Sequence, residues 1–145
     1  MQLPSNQEND RLEEATKIDE LYLQGRADEL PYKEMELTTV VAEAHRIVRL
    51  KDGPEHFDYN ISAIKIGDLV FAGIGGEVFT AIGNRIAELS PYKDTIICCI
   101  TNNYGGYVPN KEAYDEGGYE VVSSSFKKGG DDVIINGMID MISKL

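Results

Sequence analysis

The sequence predicts an α+β domain, with α/β as the alternative class. Three observations lead to it: apolar residues recur at helical spacing over the first 50 positions, they alternate with polar residues from Phe57, and two later runs are apolar throughout. Hairpin-linked strands, strands linked through helices and a helical lead-in together indicate one mixed sheet with packed helices. We expect a single folding unit, with a helical hairpin over residues 1–52 and a mixed part over 53–145.

The helical hairpin is predicted from two amphipathic segments. Ser5-Asn6-Gln7-Glu8 has the Ser-x-x-Glu form of a capping box, which favours a helix start. Helical spacing then continues up to Gly25, at Leu12, Ala15, Ile18 and Leu21. A second helix follows Pro31, and Gly53-Pro54 stops it. Its apolar positions share one side: Leu37, Val40, Val41, Ala44, Ile47 and Val48.

The first strands are predicted from a change of period. Apolar residues alternate from Phe57 to Ala63, which is typical of a strand with one solvated face. Ile66-Gly67-Asp68-Leu69 has the composition of a tight hairpin turn, because Gly67 can adopt a positive φ. The run Leu69 to Ile74 is apolar on both faces. We therefore expect it to be a central strand.

The rest of the sequence is predicted to form two further helices and two further strands. A helix is predicted from about Glu77 to Leu89, a strand over Thr95 to Ile100 and a short edge strand over Tyr119 to Ser123. Gly129-Gly130 then separates a last helix from the rest. That helix is expected to bury Val133, Ile134, Met138, Ile139 and Ile142.

The composition excludes some classes of function. The 145 residues are 42% hydrophobic and 27% charged, as in an ordinary globular protein, and the net charge is -11. Neutralising nucleic-acid phosphates requires clustered Lys and Arg, so we expect no nucleic-acid partner. No apolar stretch reaches the length of a membrane span, and the first residues lack the features of a signal peptide. The sequence favours no particular compartment.

The cysteines and histidines have no spacing that indicates chemistry. Cys98 and Cys99 are adjacent in a predicted strand and point to opposite faces, so we expect two small buried apolar residues and no disulfide or metal site. His45 and His56 have no partner histidine at ligand spacing. Each is interpreted as a lone surface or boundary histidine and not as a metal ligand.

Two strand exits carry the candidate site. A tyrosine- and glycine-rich loop, Thr101–Pro109, follows one apolar run, and Gly75-Gly76-Glu77 follows the other. The glycines of Gly73–Gly76 could form a phosphate cradle, but the spacing fits no nucleotide fingerprint and Glu77 would repel a phosphate. We favour a tight strand-to-helix turn with Glu77 at the helix N-terminus.

The tyrosines of the long loop have two interpretations. A packed aromatic cluster would stabilise the loop, whereas long glycine-containing loops are more often functional. Both interpretations apply to the same residues: Tyr104, Tyr107, Tyr114 and Tyr119.

A longer stretch resembles a known family. Between Ile64 and Glu120, five elements occur in order: Ile66-Gly67-Asp68-Leu69, Gly76-Glu77 with Thr80, Asn103-Tyr104-Gly105-Gly106-Tyr107-Val108, Glu112-Ala113-Tyr114 and Gly118-Tyr119-Glu120. With these elements the stretch resembles the late part of the catalytic domain of the neutral/alkaline (non-lysosomal) ceramidases, zinc-dependent amidases that split ceramide into sphingosine and a fatty acid. Several ordered matches are more specific than any single one.

The resemblance implies roles for five residues. In the family a glutamate and a loop tyrosine complete a zinc site, and here they correspond to Glu77 and Tyr107. Tyr107 would bind zinc or stabilise the oxyanion. Asn103 and Tyr104 would support or line the site, and Tyr114 would touch the substrate or its entrance.

The resemblance also implies that the site is incomplete. The family's two zinc-binding histidines lie much earlier in its sequence, and no such motif is present here. We therefore expect the C-terminal portion of a longer zinc-dependent hydrolase of N-acyl sphingosine or a related lipid amide. Alone it should bind no zinc and be catalytically silent, and its partner would be the missing upstream part. The alternative is a non-enzymatic interaction domain that binds through the acidic hairpin or an uncovered sheet face.

Overall fold

The computed structural model describes residues 1–145 and confirms the α+β class. Seven short strands are formed: β1 Gln2–Pro4, β2 His56–Asp58, β3 Ile61–Ile66, β4 Leu69–Ile74, β5 Glu77–Val78, β6 Asp94–Cys98 and β7 Tyr107–Val108. Six α-helices accompany them: α1 Leu12–Leu23, α2 Glu34–Leu50, α3 Thr80–Leu89, α4 Ala113–Glu116, α5 Tyr119–Ser123 and α6 Gly130–Ile142. None of these helices has the length and apolarity needed to cross a membrane.

The main sheet has the strand order β3-β4-β6 and is mixed, as predicted. Strands β3 and β4 form an antiparallel hairpin whose turn places Gly67 at φ 61°, which confirms the predicted turn. Strand β6 runs parallel to β4, from the pair Leu69–Asp94 to the pair Gly73–Cys98, because α3 carries the chain back across the sheet. The central position of β4 is also confirmed.

Two smaller sheets flank the main one. Strand β1 pairs with β2 in antiparallel register, and β5 pairs with β7 in parallel register. The alternating segment from Phe57 to Ala63 is therefore divided at Tyr59-Asn60 between two sheets.

One face of the main sheet carries the core. Helices α3 and α6 pack on it, and 12 buried residues form one cluster: Leu3, Tyr59, Val70, Ala72, Ile74, Ile82, Ile86, Val108, Phe126, Ile134, Met138 and Ile142. The opposite face has exposed apolar side chains, with Ile64 at 62%, Ile66 at 65% and Ile96 at 45% exposure. We call Ile64, Ile66 and Ile96 the open face.

The predicted helical hairpin is present and has a cluster of its own. Helices α1 and α2 bury Ala15, Ile18, Val41, Ala44 and Ile47 against each other. Periodicity alone identified these positions, because each helix buries one apolar stripe.

Arg46 of α2 joins the hairpin to the rest of the protein. Its side chain is 4% exposed, and its guanidinium donates to the carbonyls of Val122 (2.8 Å) and Asn6 (2.7 Å) and to the Glu8 carboxylate (3.0 Å). A buried charge is tolerated when its donors are satisfied in this way. Three separate segments therefore meet on one side chain.

The predicted capping box is not formed. Ser5 bridges to Phe126, and its amide donates to the Glu55 carbonyl at 2.8 Å, so this segment extends β1. Helix α1 begins only at Leu12, after Arg11, and no side chain caps it. Long-range strand pairing has overridden the local capping signal.

Two other elements differ from the sequence prediction. Glu77 does not start the helix, because its amide and that of Phe79 bond to the carbonyls of Gly106 and Val108, which extends the chain as β5 up to α3. The predicted edge strand over Tyr119 to Ser123 is the helix α5, which packs against α2.

The cysteines are less buried than predicted. Cys98 is half-buried and Cys99 is exposed, because β6 is an edge strand beside the open face. Both thiols are free.

Candidate functional site

Glu77 and Tyr107 lie side by side at the ends of the strands. They are register partners in the parallel β5–β7 pair, so their side chains leave the same side of that sheet. The Glu77 amide donates to the Gly106 carbonyl at 2.9 Å, and the Gly105 amide donates to the Gly75 carbonyl at 2.6 Å. The structure thus brings together the two residues that the resemblance implied as zinc ligands.

Tyr59 determines how closely two backbone segments approach each other, Gly75-Gly76 after β4 and Gly105-Gly106 before β7. A Cβ atom on Gly76 would lie 2.7 Å from the Gly106 carbonyl oxygen and closer still to the Tyr59 hydroxyl. A Cβ on Gly105 would lie 2.7 Å from the Tyr59 ring and 3.0 Å from the Gly75 carbonyl oxygen. Only glycine fits at either position, because such contacts lie far inside van der Waals distance. Gly76 and Gly105 therefore allow the backbone to pack closely against the Tyr59 side chain.

The Tyr59 side chain is buried without a polar partner. The residue is 2% exposed and its hydroxyl has no hydrogen bond. Burial raises the pKa of the Tyr59 phenol well above its ordinary value, since a phenolate would be poorly solvated there. Tyr59 is therefore a buried, uncharged side chain that packs against the backbone of the site.

The loop after β6 is held in an unusual backbone conformation. Ile100 and Asn102 have φ values of 54° and 62°. For a β-branched residue this region costs about 1–3 kcal/mol. The amides of Ile100 and Thr101 bond to the carbonyls of Gly76 and Ile74 at 3.1 and 2.9 Å, which ties the loop to the end of β4.

Phenols and carboxylates interact at the site. The nearby Glu77 carboxylate raises the pKa of the Tyr104 phenol, first as an acceptor for the protonated hydroxyl and then through its charge, which disfavours the phenolate. The pKa of Tyr107 is also raised, chiefly by the charge of Glu77 and then by burial and the charge of Glu120. Tyr119 contacts Tyr107 edge to face, with ring centroids 6.3 Å apart. The raised pKa values keep the Tyr104 and Tyr107 phenols protonated at neutral pH.

The Tyr104 phenol is expected to titrate above pH 10, and Glu77→Gln should move its pKa back toward 10 because the amide removes the opposing charge. The sign follows from the phenolate being the disfavoured form beside a carboxylate. NMR of chains with ¹³C-labelled tyrosine rings would follow each phenol separately. Glu13→Gln, on the remote helix α1, is the matched control. An unchanged Tyr104 titration in Glu77→Gln would contradict the contact.

Tyr107 separates two cavities. One has a volume of about 490 Å³ and includes Glu77, Thr80, Asn110 and Glu120 in its wall. The other has a volume of about 460 Å³ and is rich in aromatic residues. Its wall includes Arg49, Phe57, Asp58, Asn103, Tyr104, Tyr119, Ser125 and Phe126. We call the second one the aromatic cavity.

The other predicted site residues divide into two groups. Asn103 and Tyr104 line the aromatic cavity, and the Asn103 side-chain oxygen accepts from the Tyr104 amide at 2.8 Å. Tyr114 lines neither cavity, and its hydroxyl donates to the Phe126 carbonyl at 2.7 Å. Sequence reasoning missed Tyr59 and Arg49, whose proximity to the loop depends on contacts between distant segments.

The chain offers part of a metal site. Carboxylate and phenolate oxygens suit zinc, and Glu77 and Tyr107 are placed to act together. No group of three or more His, Cys, Asp or Glu side chains lies close enough to hold a metal ion. His45 is engaged elsewhere, since its Nδ1 lies 3.1 Å from the buried Asp19 carboxylate. The two residues fit half of a zinc coordination shell.

Comparisons with known proteins agree with this fold. No family model and no curated protein matches the chain. Among solved structures, neutral ceramidase from Pseudomonas aeruginosa and a ceramidase complexed with C2 are each similar, with a TM-score of 0.53 and 23% identity. Each match covers 61% of this chain and 15% of the ceramidase chain. The chain therefore has a ceramidase-like fold and spans a small part of the length of those proteins.

Proposed function

We propose that this chain is the C-terminal portion of a ceramidase-like, zinc-dependent amide hydrolase, in which Glu77 and Tyr107 are two of the metal ligands. The register pairing of these residues at the strand ends is the observation that carries the proposal. The ceramidase-like fold, which is matched over 61% of the chain, supports it.

The chemistry follows from the side chains. When bound, zinc would activate a water for attack on an amide carbonyl and polarise that carbonyl. Tyr107 would have to lose its proton to bind the metal, and the neighbouring Glu77 charge opposes that loss until a cation is present. Asn103 and Tyr104, which line the aromatic cavity, would line the approach to the ligand pair. Tyr114 is left out of the proposed site, because its hydroxyl donates to the Phe126 carbonyl and it lines neither cavity.

The remaining ligands would come from polypeptide that this chain lacks. The open face supports such a partner, because its three exposed isoleucines form an apolar surface on one side of the sheet. A second copy is a poor occupant, since each chain has a net charge of -11. We therefore assign the open face to the part of a ceramidase-like hydrolase that is absent here.

A non-enzymatic interaction domain is the second candidate. The same open face favours it, because an apolar sheet surface can bind a partner without any chemistry at Glu77. The two candidates differ in what they require of the ligand pair. Only the hydrolase proposal gives Glu77 and Tyr107 a shared affinity for metal.

A zinc titration tests the proposal. We expect less than about a tenth of an equivalent of zinc to remain on the chain after dialysis, since two ligands hold the metal weakly. Adding imidazole, which supplies nitrogen ligands, should allow weak zinc binding that Glu77→Gln and Tyr107→Phe each reduce about tenfold. Ring-labelled NMR would report the binding at Tyr107, and Glu13→Gln is again the control.

Two outcomes would count against the proposal. Equal zinc binding by the wild-type chain and both variants would favour the interaction domain. One tightly held equivalent that disappears in Glu77→Gln would mean that the chain owns a complete site and is not a fragment of one.

A further inference from the structure

Arg49 differs from every other arginine in the protein. The chain has 25 acidic residues, and the other four arginines each form an ion pair: Arg11, Arg26, Arg46 and Arg85. Arg49 forms none, and its only side-chain hydrogen bond is from Nη2 to the Ser125 hydroxyl at 2.7 Å. A guanidinium has five N–H donors, so most of those on Arg49 have no protein acceptor.

The unpaired guanidinium lines the aromatic cavity. Arg49 projects from α2 into the wall that also contains Tyr104, Tyr107 and Tyr119. A cavity of about 460 Å³ is in the range that holds a small ligand, and aromatic rings with a few polar groups are typical of such sites. Tyr107 also borders the neighbouring cavity that contains Glu77. A ligand bound at Arg49 would therefore extend toward the proposed metal ligands.

We propose that the aromatic cavity binds the head group of the substrate and that Arg49 pairs with a carboxylate on that head group. This inference rests on the proposed function, which supplies the amide bond of the substrate. It adds the substrate class, namely N-acyl amino acids or similar amides with an acidic head group. A guanidinium matches a carboxylate with two parallel N–H···O bonds. The hydrophobic part of the head group would pack against the tyrosine rings.

The charges in the cavity favour a carboxylate over a phosphate. Arg49 is its only cationic lining residue, and Asp58 contributes a carboxylate that accepts from the Gln2 amide at 3.3 Å. A doubly charged phosphate would meet one cation and one nearby anion in a protein of net charge -11. A carboxylate carries a single charge, which Arg49 can match, and Asp58 repels it less than it would repel a phosphate.

Binding of two matched probes tests the assignment without any metal or turnover. N-hexanoylglycine carries a carboxylate, and N-hexanoylethanolamine has the same acyl chain and amide with a neutral hydroxyl. We expect N-hexanoylglycine to bind the full chain at least about tenfold more tightly, as measured by NMR titration of the tyrosine rings. Arg49→Met should abolish the difference in affinity between the probes. Arg49→Lys should retain part of this difference, because the positive charge remains but the two parallel N–H donors of the guanidinium are lost.

The controls separate this inference from the proposed function. Arg85→Met removes an exposed arginine that pairs with Glu88 and should leave both affinities unchanged. Equal binding of the two probes, a preference that survives in Arg49→Met, or no response of Tyr104, Tyr107 and Tyr119 to either probe would overturn the head-group assignment. None of these results depends on zinc, so the metal titration remains an independent test of the hydrolase.

Discussion

Gly76→Ala is expected to lower the free energy of unfolding by about 2–3 kcal/mol, because the added methyl group overlaps the Tyr59 hydroxyl and the Gly106 carbonyl oxygen. Neither neighbour can yield easily, since Tyr59 is buried and the Gly106 carbonyl accepts the Glu77 amide. Urea unfolding followed by circular dichroism would measure the loss.

Two further variants make this prediction specific. Tyr59→Phe removes a buried hydroxyl without a partner, so it should stabilise the fold by about 1 kcal/mol and recover part of the loss when combined with Gly76→Ala. Gly83→Ala is the matched control, because a Cβ there would lie at an ordinary 3.4 Å from Ile97 inside a helix. That change should be neutral or stabilising. A Gly76→Ala chain as stable as Gly83→Ala would refute the steric argument.

Arg46→Met is expected to destabilise the protein by about 3–5 kcal/mol. The substitution leaves the Val122 and Asn6 carbonyls without their donor and removes the closer of the two arginines that pair with Glu8. Because Arg46 of α2 joins α5 at Val122 and the segment that contains Asn6 and Glu8, the loss should also release the helical hairpin from α5. Urea unfolding gives the free energy, and hydrogen exchange of α5 amides reports the local release.

Arg11→Met provides the comparison for Arg46. Arg11 is an arginine of the same hairpin, but its side chain is 44% exposed and it pairs with Glu43 at the surface. Its removal should cost less than about 1 kcal/mol. Similar losses for the two variants would show that burial of Arg46 contributes little.

The parts of the fold predicted from sequence are those determined by neighbouring residues. A local period in hydrophobicity predicts the buried face of α2 and the strand β4, which is apolar on both faces. A local backbone requirement, the positive φ of Gly67, predicts the turn between β3 and β4. The pairing of Glu77 with Tyr107 was implied by a resemblance, and the structure places the two side by side.

The parts that sequence reasoning missed depend on contacts between distant residues. Ser5 has a capping signal, yet it joins a bridge to Phe126. Glu77 was expected to start a helix, yet the carbonyls of the tyrosine loop hold it extended. The residues from Tyr119 to Ser123 favour a strand by composition, yet they form the short helix α5, which packs on α2. Gly117 and Gly118, with φ values of 77° and 104°, precede that helix. In each case tertiary pairing outweighed local preference.

The fit of Tyr59 between the glycine pairs links the site to a residue that is neither a proposed ligand nor accessible to solvent. Related sequences should accordingly vary at positions 59, 76 and 105 as a unit, since a larger residue at either glycine position requires a smaller ring at 59. A mutant library that omits Tyr59 and these two glycines would leave the spacing of β5 and β7 fixed. Changing that spacing would have to begin beneath the site, at Tyr59.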